Sequence, residues 1–139
     1  RIINYVASAV CQDTQITLFS VLDQISDKMV DQLHYPQFKD KVEELRKMEV
    51  GKASVLHEQM EKYKEILTKA GIPEQNIDIR AQTKKVGIAR DIMYEAERGG
   101  YDTVVVGRRG LSAASSFIFG SVSNKIIHNI KNCTVWVVE

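Results

Sequence analysis

Apolar residues along this chain recur with two different periods, and the alternation between them sets out the elements. From Arg1 to roughly Gln12, Ile3, Val6 and Val10 fall on one face at helical spacing. Ile16 to Leu22 is a strand-like run, and a polar connection containing Pro36 follows it. Between about Phe38 and Ala70 a helical stripe returns through Phe38, Val42, Leu45, Ala53, Leu56, Met60, Tyr63, Leu67 and Ala70. Gly51 falls where that stripe slips by one residue, so a kink or two consecutive helices is expected there. Gly71-Ile72-Pro73 is a stop signal. Ile77, Ile79 and Ala81 alternate as a short strand, and Ile88, Ala89, Ile92, Met93 and Ala96 form a helix face that ends at Gly99-Gly100. The β-branched run Thr103 to Val106 suits a strand covered on both faces. Val122, Ile126, Ile127 and Ile130 mark a further helix, and Thr134 to Val138 a closing strand. Strands alternating with helices predict an α/β domain with an open parallel sheet and helices on both faces. Right-handed crossovers then place ligands at the carboxyl ends of the strands.

At one such end the sequence carries chemistry. Val106 is followed by Gly107 and Gly110, then nine residues, then Gly120-Ser121. Glycines after a strand allow a sharp turn and a close approach of backbone amides to a ligand. A helix opening at Gly120-Ser121 points unpaired N–H groups and its positive dipole end back at that loop, which favours an anion. The same three glycines could equally serve an ordinary strand–loop–helix connection. Other phosphate and catalytic signatures are absent from the sequence. There is no G-x-x-x-x-G-K-[ST], no G-x-G-x-x-G after a strand and no G-x-S-x-G, and His57-Glu58 does not continue as H-E-x-x-H.

The spacing G-x-x-G-x(9)-G-[ST], between a Val-rich strand and a helix, resembles the nucleotide-binding signature of the universal stress protein family. The resemblance continues through Ser121-Val122-Ser123-Asn124-Lys125-Ile126-Ile127 and Cys133-Thr134-Val135-Trp136-Val137-Val138. Upstream of residue 80 it rests on pattern more than on motif. It implies that the amides of Gly107, Gly110, Gly120, Ser121 and Val122 hold the phosphates of ATP, or AMP, with Mg²⁺ bound through the phosphate oxygens. It also implies that Val21 meets the adenine through its backbone and that Val106 lies against the nucleotide, although both also suit a core. Arg108 and Arg109 either neutralise phosphate charge from the rim or lie in solvent as surface arginines. Leu111 to Phe119 contains no basic side chain, a departure from many family members that raises the weight on Arg109. Ser121 and Ser123 suit helix capping and, by the resemblance, phosphoryl acceptance.

In the family a strand precedes the first helix, between the strands matching Ile16–Leu22 and Thr103–Val106, and an acidic residue after it lines the nucleotide site. Here a helix comes first, and Arg1 stands where an initiator methionine would. The expected sheet of about five strands would therefore have its first central strand outside this sequence, which would be a truncated piece of a longer chain. An intact mass near 15.7 kDa with the fold retained would refute that.

Composition narrows the partners. The 139 residues make one domain, with 44% hydrophobic and 27% charged residues. A formal charge of +1 speaks against nucleic acid as the main partner, and no apolar run approaches membrane-spanning length. Cys11 and Cys133 read as isolated thiols, and His34, His57 and His128 lack ligand spacing, so neither a disulfide nor a protein-built metal site is expected. Together these features point to the cytoplasm. The closing strand Thr134–Val138 is apolar on both faces and, as a sheet edge, would be adhesive unless paired. In the family it pairs with its two-fold mate, which implies a homodimer. The expected function is that of an ATP-binding, dimeric stress-response module, with at most slow hydrolysis or autophosphorylation. The alternatives are a dimeric interaction module of the same fold that holds no nucleotide, or an ATP-using transferase or ligase of a related α/β fold.

Overall fold

The computed structural model describes residues 1–24, 38–108 and 120–139. In chain order the elements are α1 (Ile2–Ala9), β1 (Ile16–Leu22), α2 (Lys39–Lys69), a 3₁₀ turn (Glu74–Asn76), β2 (Ile77–Thr83), α3 (Ile88–Gly99), β3 (Thr103–Gly107), α4 (Ser121–Asn129) and β4 (Thr134–Val138). The alternation of strands and helices read from the apolar periods is the alternation seen.

The strands form two parallel pairs. β1 lies in register with β2, Ile16 opposite Ile77 through Leu22 opposite Thr83. β3 lies in register with β4, Thr103 opposite Thr134 through Gly107 opposite Val138. Four strands of the expected parallel sheet are therefore present among the described residues, as two separate pairs. Among the described residues no ladder joins β1 to β3. Side chains connect them instead: the Tyr101 hydroxyl donates to Thr17 Oγ1 at 2.8 Å, and Val105 packs against the cluster that holds Leu18.

That cluster is the main core. Val6 of α1, Leu18 of β1, Leu67 of α2, Ile72 and Ile77 are buried together, and Ile2, Ile3, Ile16, Tyr63 and Ile79 pack around them. Ile16 and Leu18 face this cluster, whereas Thr17 on the opposite face of β1 receives Tyr101 from beyond α3. Helices α3 and α4 pack on each other, with Ala89, Ala96 and Ile126 buried.

Two helix ends show why the stop signals hold. After α2 the chain turns at Gly71 with φ +99°, the Gly71 N–H donating to the Thr68 carbonyl at 3.0 Å and that of Ile72 to Leu67 at 3.2 Å. This is a Schellman closure, and it buries Ile72 beside Leu67. After α3, Gly100 takes φ +67° and the Tyr101 N–H reaches the Ala96 carbonyl at 3.1 Å. Gly51 does not divide α2, which is one helix of 31 residues. Glycine costs a helix interior about 1 kcal/mol, too little to break a segment tied down by Met60 and Leu67.

Candidate functional site

The carboxyl end of β3 is joined to the start of α4 by backbone hydrogen bonds. Gly107 continues the strand and does not turn away from it: it pairs with Val138, and the Arg108 N–H still donates to the Val138 carbonyl at 2.8 Å. The Arg108 carbonyl then accepts the Gly120 N–H, also at 2.8 Å. Gly120 caps α4 in an extended conformation with φ −65° and ψ 157°, which any residue can adopt. The first intrahelical bond runs from the Asn124 N–H to the Gly120 carbonyl at 2.9 Å. The amides left without an acceptor in the helix are those of Ser121, Val122 and Ser123. Gly120 thus spends its own N–H inside the protein, unlike the three residues after it.

Side chains complete the join. Ser123 is buried, and its hydroxyl lies 3.0 Å from the Gly120 carbonyl and 3.2 Å from that of Arg108. Ser121 is exposed at the helix tip and Val122 half-buried. The Arg108 guanidinium forms an ion pair with Glu139. A cavity of about 430 Å³ opens here, lined by Gly107, Arg108, Val138 and Glu139 on one side and by Arg1, Ile2, Ile3 and Tyr63 on the other.

The residues singled out from sequence distribute as follows. Val106 and Gly107 close β3, and Gly120, Ser121 and Val122 open α4, so these five belong to one strand-to-helix connection. Val21 lies near the carboxyl end of β1, opposite Gln82 in the other strand pair, and does not line the cavity. Arg109 and Gly110 lie outside the described residues, as does His34. His57 is exposed on α2 and sits 3.7 Å from Glu61. Among the described residues no three His, Cys, Asp or Glu side chains are grouped as metal ligands would be.

The model of the universal stress protein family matches residues 5–139. The chain belongs to that family. Its fold is that of solved members and relatives: universal stress protein UspA from Lactobacillus plantarum superposes with a TM-score of 0.71 at 19% identity, covering 99% of this chain and 83% of that one. Hypothetical protein MJ0577, a structural-genomics test case for assigning biochemical function, superposes with a TM-score of 0.70 at 20% identity, covering 99% and 84%. No curated protein sequence matches.

For this universal stress protein the sequence reading missed one polar residue. Asp91, in the first turn of α3, is only 4% exposed. Its carboxylate accepts the Lys85 N–H at 2.7 Å and the Val86 N–H at 3.1 Å. Burial pushes this carboxyl up, but the N–H groups of Lys85, Val86 and Gly87, with the Lys85 charge, outweigh that and hold it below the ordinary carboxylate value. The turn before it is pinned as well: the Lys84 N–H donates to the Leu22 carbonyl at 2.7 Å, and its ammonium pairs with Asp23. An acidic residue in the first turn of a helix was the available signal. At β4, Trp136 meets the Tyr5 ring edge-on at 6.0 Å, and among the described residues the strand pairs with β3 alone. Burial and the Asp102 charge push the Cys133 thiol up, away from the reactive thiolate. No helix among the described residues is long and apolar enough to cross a membrane.

Proposed function

We propose that this universal stress protein binds ATP, or AMP, along the segment from Gly107 to Ser121, and that it works as a cytoplasmic homodimer whose partner contacts respond to the bound nucleotide. The observation that carries the reading is the start of α4. Its first turn contains no acidic residue and its N-cap is a glycine, so no carboxylate of the helix covers the amides of Ser121 and Val122. These amides, the dipole end and the Ser121 hydroxyl suit a phosphate chain, and any Mg²⁺ would be held through the phosphate oxygens. Each hydrogen bond to a charged oxygen contributes about 1.5–3 kcal/mol. Four of them, less the cost of immobilising the ligand, are compatible with micromolar binding at about −8 kcal/mol. Gly107, Arg109 and Gly110 would line the phosphates, Gly120 would act as N-cap, Val106 would flank the nucleotide, and the backbone of Val21 would meet the base. The dimer would pair β4, from Thr134 to Val138, with its mate.

One observation favours a second reading, a dimeric interaction module without nucleotide: the Arg108 guanidinium is already neutralised by Glu139. Calorimetric titration with ATP and Mg²⁺, with light scattering on the same samples, separates the two. The expected result is micromolar binding at a dimeric mass, with binding lost in Gly110→Val. A dimer that gives no heat with ATP would establish the second reading, and a monomer would remove the pairing through β4.

A further inference from the structure

We infer that Ser123 is a positioning residue for the anion-binding amides of α4, an inference that rests on the nucleotide reading above. Its hydroxyl has a single proton and faces two carbonyls, those of Gly120 at 3.0 Å and Arg108 at 3.2 Å. Each of these oxygens already accepts a backbone N–H, Gly120 from Asn124 and Arg108 from Gly120. The single proton goes to one of them at a time or is shared between them, adding a second hydrogen bond to a carbonyl that already holds one.

The peptide group is planar and trans, so the direction of the Gly120 carbonyl dictates the direction of the Ser121 N–H on the same plane, pointing the opposite way. Holding that carbonyl against Ser123 therefore aims the Ser121 amide outward from the helix start. An N-cap serine spends its oxygen on the helix amides, whereas Ser123 lies three residues past the N-cap and turns its hydroxyl back to a carbonyl. Here the buried hydroxyl serves the carbonyls on both sides of the join, and the amides stay available. Ser123 acts without touching the ligand, and at 4% exposure it is shielded from modification, in contrast to exposed Ser121.

The test compares the unaltered protein with Ser123→Ala and Ser123→Thr by amide hydrogen exchange and by ATP–Mg²⁺ calorimetry. Ser123→Ala is expected to accelerate exchange at the Gly120 amide and to weaken ATP binding, each by about tenfold, the value of one buried hydrogen bond. Exchange at Ile130, which bonds to Ile126 at the far end of α4, should not change. Ser123→Thr keeps the hydroxyl and should stay within about threefold of the parent on both measures. Unchanged Gly120 exchange in Ser123→Ala overturns the inference. So does faster exchange with unaltered ATP affinity, which is what a purely structural serine would give. Should Ser123→Ala fail to fold, a Thr variant that folds but binds ATP about tenfold more weakly overturns it as well. A parent protein that gives no heat with ATP fails the nucleotide reading and this role with it. A parent that binds while Ser123→Ala binds equally well fails this inference alone.

Discussion

The connection from β2 into α3 and the one from β3 into α4 both leave the carboxyl end of a parallel strand and enter a helix through a glycine N-cap, Gly87 in one and Gly120 in the other. At the first, the protein supplies its own anion. The buried Asp91 carboxylate gathers the amides of Lys85 and Val86, so those donors are already taken. At the second, the buried polar group is the Ser123 hydroxyl, and it binds carbonyls. Among the described residues no acceptor takes the amides of Ser121 and Val122, and the nucleotide reading assigns them to the phosphates. One connection is electrostatically closed and the other open, and the side chain in the first turn of each helix makes the difference.

The largest expected effect comes from opening the closed connection. Asp91→Ala removes a charged acceptor from two backbone donors and should cost about 1–3 kcal/mol of stability in denaturant unfolding at neutral pH. ATP affinity should change far less than stability, because the carboxylate lies outside the phosphate-binding segment from Gly107 to Ser121. The folded-state pKa of Asp91 lies below its ordinary value, so its contribution is complete above that value and is lost as pH falls through the folded one. The stability curves of the parent and Asp91→Ala should therefore converge below about pH 4. A gap that persists into acid would mean that the residue acts through packing and not through charge.

How much of this contrast could be read from the residues alone differs between its halves. The strand-to-helix connection from β3 to α4 was legible because the switch from a valine run to a helical stripe is a local signal. The elements around it were legible for the same reason: Gly71 and Gly100 ended helices by left-handed conformations that a sequence can announce. What escaped depends on who meets whom across the fold. Asp91 looks like an ordinary first-turn acid until the chain entering α3 folds back over it. Ser123 looks like a capping serine until the Arg108 carbonyl is brought within 3.2 Å. Gly120 looked like an amide donor to ligand, and the same carbonyl claims its N–H.

The next effect is smaller and runs the opposite way, by closing the open connection. Ser121→Asp gives α4 the acidic first turn that α3 has. A carboxylate beside the helix dipole should raise thermal stability by about 0.3–1 kcal/mol. The same charge would occupy the phosphate position, so ATP binding should fall by more than about tenfold in calorimetry. Stabilisation with undiminished ATP affinity would place the phosphates away from α4 and undo the comparison.

The smallest effect is expected at the rim. The Arg108 guanidinium and Glu139 pair at the surface, the Glu139 side chain being 73% exposed. Exposed pairs of this kind contribute about 0.2–1 kcal/mol and are screened by salt, so Glu139→Gln should barely move the unfolding midpoint. Its informative readout is binding. Glu139 lines the same cavity as Gly107, and its charge opposes any anion that arrives there. Removing it should tighten ATP binding by about two- to fivefold at low ionic strength, and the gain should shrink as salt is added. An affinity that is unchanged at every salt concentration would show that Arg108 and its partner stand outside the field of the phosphates. The open connection would then hold its ligand through backbone amides and Arg109, since Leu111 to Phe119 carries no basic side chain.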